Sequence, residues 1–155
     1  NARLPGNDGE TREADAADVD GDGDLDIILG NVDFNSGRPI ENRLLLNDGT
    51  GVFADATVSN LGNVSNQDSS FTIHFFDIDA DGDPDVLSPR NAIGQGGSVD
   101  VWINDGSGIF APASESPFSS APSGSAFDIE IVDLRPATQD EMAHRHAHGP
   151  GGHQH

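Results

Sequence analysis

Apolar residues along this chain come in short clusters rather than long runs. Phe71, Ile73 and Phe75 alternate with polar neighbours, the period-two pattern of a half-buried strand. Short segments of the same kind follow at Asp85–Pro89, Ser98–Asn104 and Ile109–Ala113. An earlier set lies at Glu13–Ala17, Asp26–Asn31, Arg43–Asn47 and Val52–Ala56. Asn, Asp, Gly and Ser fill the gaps, and these residues favour turns. The pattern predicts two groups of four short strands, each an antiparallel meander. Asn47-Asp48-Gly49-Thr50-Gly51 and Asn104-Asp105-Gly106-Ser107-Gly108 read as its hairpin turns.

The two groups are copies of one unit. Ala17–Leu29 matches Phe76–Ser88 at an offset of 59, and Leu44–Ala54 matches Val101–Ala111 at an offset of 57. A third start, Phe127–Leu134, aligns with Phe71–Ile78 at an offset of 56. This divides the chain into an N-terminal segment (1–11), a first repeat (12–59), a second (60–114), a partial third (115–134) and a His- and Gly-rich tail (135–155). A repeated four-stranded unit is the pattern of a β-propeller blade, which buries its faces only against its neighbours. The expected fold is therefore all-β: tandem propeller-like blades, two complete and a third begun. Propellers close with about 4–8 blades. The expectation is that the chain, a processed form or a piece of something longer, joins copies of itself in a homo-oligomer or filament, or takes further blades from another chain.

Charge sharpens the picture. The formal net charge is -20, which disfavours nucleic acid and anionic membrane surfaces as partners. No apolar run approaches the roughly 20 residues of a membrane span, so membrane insertion is not expected. The absence of cysteine excludes disulfides and thiolate metal sites. Of 27 acidic residues, ten fall in two nine-residue windows with regular spacing, which a merely solvated face would not impose.

Both windows read Asp-x-Asp-x-Asp-Gly-x-x-Asp. Calcium wants 6–8 oxygens at about 2.3–2.6 Å. Aspartates at loop positions one, three and five turn toward a common centre, Gly at six permits a sharp turn, the carbonyl at seven points inward, and Asp at nine closes the shell. The predicted ligands are Asp18, Asp20, Asp22 and Asp26 with the carbonyl of Asp24 in the first loop. Asp77, Asp79, Asp81 and Asp85 with the carbonyl of Asp83 form the second. Without a cation these carboxylates would repel one another strongly. Two calcium ions are the expected cofactors; magnesium, which dehydrates reluctantly, suits the loops less well. An EF-hand needs Glu at position twelve between helices. Leu29 and Ser88 stand there instead, and the flanks are strand-like.

These loops, each followed by Asn-Asp-Gly-[Thr/Ser]-Gly-x-Phe, resemble the FG-GAP/VCBS repeat family over residues 12–134. The resemblance implies β-propeller blades, calcium in the strand-to-strand loop and an extracellular setting. The third unit departs from it, with Arg135-Pro136 after Asp133-Leu134 where acidic and small residues belong.

Other chemistry is sparser. His144, His146 and His148 alternate and, with His153 and His155, could ligate a transition metal; a flexible tail explains them as well. Asn63-Val64-Ser65 is a glycosylation sequon. His74 and Trp102 sit within strands and read as packed residues. No nucleophile triad or phosphate loop is present, so no enzymatic activity is expected. The sequence points to a secreted or surface structural and adhesion module, with a glycan or surface protein as possible ligand. The alternative is a carbohydrate-binding or accessory part of a polysaccharide-active enzyme.

Overall fold

The computed structural model of the chain describes residues 4–6, 10–32, 42–62, 70–89 and 99–114. Within them are two four-stranded antiparallel sheets, each in simple meander order. The first holds β1 (Glu10–Ala17), β2 (Asp26–Val32), β3 (Arg43–Asn47) and β4 (Phe53–Asp55). The second holds β5 (His74–Phe76), β6 (Asp85–Pro89), β7 (Val99–Asn104) and β8 (Phe110–Pro112). Two blade-like sheets are thus present, and the described strands close no barrel. The third repeat's start, Phe127–Leu134, lies outside the described residues, as do Asn63 and the whole histidine tail.

Three details depart from the sequence pattern. Strand β1 begins at Glu10, inside the N-terminal segment and ahead of the predicted Glu13–Ala17, because Glu10 and Thr11 still pair with Val32 and Asn31 across a register shift at Arg12. Strand β5 is shorter than the Phe71–Phe75 alternation predicted. Ser70, Thr72 and Ile73 are buried where the chain crosses between units, and sheet pairing starts only at His74. A single turn of π-type helix, Thr57–Leu61, follows β4, just beyond the predicted strand Val52–Ala56, where no helix was expected. Thr57 anchors it: its hydroxyl accepts the Leu44 amide (3.1 Å) and donates to Asp55 (2.6 Å).

The sheets share one core. Val19, Ile28, Leu44 and Ala56 from the first unit, with Leu61 from the helical turn that follows it, pack with Ile73, Val86, Trp102 and Phe110 from the second. Burying a side chain of this kind is worth about 1.5–3 kcal/mol, so this apolar seam dominates the junction. Polar pegs fix its alignment. At one end Asn42, 3% exposed, accepts the Asn31 amide and donates to the hydroxyls of Ser70 (2.9 Å) and Ser88 (3.3 Å). Between β1 and β5, the Phe75 amide donates to Asp15 at 2.9 Å, with His74 beside it. At the far end the Asn104 side chain donates to the Val19 carbonyl at 2.8 Å.

Arg43 pairs with Asp55 at 2.6 Å and donates to the Gly6 carbonyl, tying β3, β4 and the N-terminal stretch. Burial alone would raise the Asp55 carboxyl, but the bonds from Thr57 and Arg43 outweigh it and hold the group below its usual value. Strand β1 is a sheet edge, and its Glu10, Glu13 and Asp15 discourage pairing with a stray strand.

Gly30 lies in β2 against the start of the second unit. A methyl group there would stand 3.1 Å from the Ile73 side chain and 3.2 Å from the Ser70 carbonyl. Gly30→Ala is expected to cost about 1–2 kcal/mol in urea unfolding, because backbone at the junction must move. Gly6→Ala, which meets no neighbour, is expected to stay within about 0.5 kcal/mol of the parent.

Candidate metal centres

Each acid loop joins the first two strands of its sheet, and a network within the loop sets its shape. Asp18 accepts the amides of Gly21 (2.9 Å) and Gly23 (3.0 Å) on its two oxygens. Asp20 accepts the Asp22 amide at 3.2 Å, and Asp22 accepts the Asp24 amide at 2.9 Å. The second loop repeats the scheme. Asp77 accepts the amides of Asp81 and Gly82, both at 3.1 Å. Asp79 accepts Asp81 at 3.3 Å, and Asp81 accepts Asp83 at 3.0 Å. The position-six glycines have φ of +94° (Gly23) and +102° (Gly82), the left-handed turn inferred from the spacing.

The closing aspartates are fully buried. Asp26 accepts the Val19 amide (3.1 Å) on one oxygen and the Asn47 amide (2.8 Å) on the other. Asp85 does the same with Ile78 (2.9 Å) and Asn104 (2.8 Å). One carboxylate therefore ties the front of the loop to the unit's own hairpin. The hairpin asparagines return the contact, Asn47 donating to the Leu25 carbonyl and Asn104 to the Pro84 carbonyl, each at 3.2 Å. The hairpins read from sequence as turns only; their placement against the loops was not anticipated. The available signal was that each Asn-Asp-Gly follows its acid loop at nearly constant distance.

Three carboxylates in each loop bring one oxygen apiece within 4.8 Å of the others: Asp18, Asp20 and Asp22 in the first, Asp77, Asp79 and Asp85 in the second. The Asp26 and Asp81 carboxylates stand outside those triplets. The side chains of Asp24 and Asp83 lean on the hairpin glycines Gly49 and Gly106.

Electrostatics make the crowding costly. Burial pushes the Asp26 carboxyl above its ordinary 3.8; amide bonds from Asn47 and Val19 oppose this, and the charges of Asp20 and Asp22 add to it. Desolvation, then the charge of Asp81, raises Asp79 in the same direction. Because the folded value of Asp26 exceeds the unfolded one, its ionised form costs stability at neutral pH, and that cost disappears as pH falls below about 3.8.

A hard cation fits this donor set. All the donors are oxygens, and oxygens on opposite sides of a calcium ion lie about 5 Å apart, so the oxygens of each triplet, all within 4.8 Å of one another, can share one ion. Oxygens that already accept an amide keep a second lone pair for a metal. Elsewhere, His74 is half-buried beside Asp15, and Trp102 is core, 6% exposed.

Acid loops set between the first two strands of tandem four-stranded sheets, each clamped by its sheet's hairpin, define a repeat protein built of β-blades. Residues 18–88 match the family model of the FG-GAP-like repeat. The match takes in both acid loops and the first hairpin between them. No curated protein and no solved structure matches the chain.

The loops differ at position four, where Gly21 (φ +76°) faces Ala80 (φ +64°) in the second copy. Ala80 is the sole non-glycine with positive φ among the described residues. Left-handed backbone costs a side-chain residue about 1–2 kcal/mol, and the freedom glycine loses on folding offsets about 0.5–1 kcal/mol of any gain. Ala80→Gly is thus expected to stabilise the protein by about 0.5 kcal/mol, read as a higher melting temperature; an unchanged or lower one contradicts the strain at Ala80.

Proposed function

We propose that the chain is a calcium-stabilised structural module of an extracellular or cell-surface assembly, binding one calcium ion in each acid loop. The observation that carries this proposal is the duplicated convergence of carboxylate oxygens at equivalent places in two blades. Calcium lifts the repulsion among those groups and the cost of the buried Asp26 charge, so binding and stability are linked. The FG-GAP-like match supports both the ion and the extracellular setting. Affinity is expected in the weak range of extracellular modules, about 10⁻⁴–10⁻³ M. Among the described residues no helix is long and apolar enough to cross a membrane.

Burial at the repeat ends supports assembly. At the junction inside the chain, Val19, Asn104 and Gly108 are buried, whereas their equivalents Ile78, Asn47 and Gly51 are only half-buried. A homo-oligomer, a filament, or blades from another chain would cover those positions. No comparable observation favours the carbohydrate reading: Trp102 and Phe110 are committed to the core, leaving Phe76 as the large exposed aromatic among the described residues.

Calorimetric titration with calcium chloride is expected to give two ions per chain. Asp20→Asn and Asp79→Asn are each expected to remove one. Light scattering on the eluting protein is expected to show assemblies with calcium and smaller species with chelator. A heat-silent titration would overturn the calcium assignment, and a calcium-loaded monomer would overturn assembly alone.

A further inference from the structure

The two acid loops meet a common residue. The Asn104 side-chain amide, 1% exposed, donates one bond to the Val19 carbonyl in the first loop (2.8 Å) and one to the Pro84 carbonyl in the second (3.2 Å). Its carbonyl oxygen accepts the amides of Gly106 and Gly108, both at 3.1 Å, and its own backbone amide donates to Asp85 at 2.8 Å. Every polar group of this side chain is engaged, so it has no free rotamer in which to absorb a shift of either loop. The hairpin it organises is gripped on both sides. The Asp83 carboxylate of the second loop lies over Gly106, where an added Cβ would stand 2.6 Å from it. Asp20 of the first loop lies against Gly108, where an added Cβ would stand 3.1 Å from the Asp20 Cβ. Asn60, beyond β4 of the first unit, donates to the Gly108 carbonyl at 2.8 Å and completes the grip.

We propose that Asn104 couples the two loops, so that calcium in one raises the affinity of the other; this rests on the function proposed for the loops. A cation drawing Asp77, Asp79 and Asp85 together fixes Pro84 and the Asp85 carboxylate, and through them the Asn104 hairpin. The hairpin then holds Val19 and Asp20 where the first ion needs them. Ordering done by one ion need not be repeated for the other, which is positive cooperativity without a large change of shape. Asn104 acts here as a positioning residue, since its side chain reaches backbone carbonyls and hairpin amides rather than the predicted ligand oxygens. The side chain of Asn47, its equivalent, donates only to its own unit's Leu25 carbonyl among the described residues, so the coupling belongs to the junction between blades.

Nuclear magnetic resonance on the full chain, titrated with calcium chloride, separates the loops: the Gly23 amide reports the first and the Gly82 amide the second. In the parent protein both are expected to move together. In Asp77→Asn/Asp79→Asn, which disables the second loop and leaves Asn104 intact, the Gly23 midpoint is expected to shift to about fivefold higher calcium. In Asn104→Ser the same two substitutions are expected to leave that midpoint within about twofold of the Asn104→Ser value. A Gly23 midpoint unaffected by loss of the second loop overturns the coupling. A shift that persists in the Asn104→Ser background removes Asn104 from it. If neither amide responds to calcium in the parent, the calcium assignment itself fails, and the coupling with it.

Discussion

In each unit one buried carboxylate ties three pieces of chain together. Asp26 and Asp85 each accept an amide from the front of their acid loop and another from the hairpin two strands later. A charge with no solvent exposure is costly unless well bonded. The two amides supply part of what water would have given, and a cation beside the loop would supply the rest. The hairpin, the loop and the sheet between them are therefore one mechanical piece. That is why the Asn-Asp-Gly turn has the same place in both copies.

Much of this was legible in the sequence, for identifiable reasons. Strands β2, β3, β6 and β7 carry dense apolar residues next to strong turn formers, and their predicted limits fall within a residue of those observed. The acid loops stood out because alternate aspartates have few structural explanations. Less legible were places where tertiary contacts override local pattern. Phe71 and Ile73 alternate as in a strand, yet they lie where the chain crosses into the inter-unit core. Thr57 terminates β4 and turns the chain into a helical turn through bonds to Leu44 and Asp55, which no local period encodes. The roles of Asn47 and Asn104 were hidden because their partners lie 22 and 85 residues away.

The junction between blades follows the division of labour seen in most packed interfaces. Apolar side chains such as Ile28, Ile73 and Trp102 provide adhesion without direction. Asn42 and Asn104 provide direction, because each must find a defined partner or remain buried and unsatisfied; the partly exposed Asp15 adds its bond from the Phe75 amide. Gly30 removes the side chain that would hold the units apart. Asn47 and Ile78, the equivalents of Asn104 and Val19 away from this junction, are only half-buried.

The central proposal is that oxygen atoms of the two loops surround a calcium ion. A high-resolution crystal structure grown with millimolar calcium tests it most directly. The prediction is one ion in each loop, with six to eight oxygen ligands at about 2.3–2.6 Å, including the carbonyls of Asp24 and Asp83. Loops holding only water under those conditions, with the aspartates bonded solely to backbone amides, would contradict it.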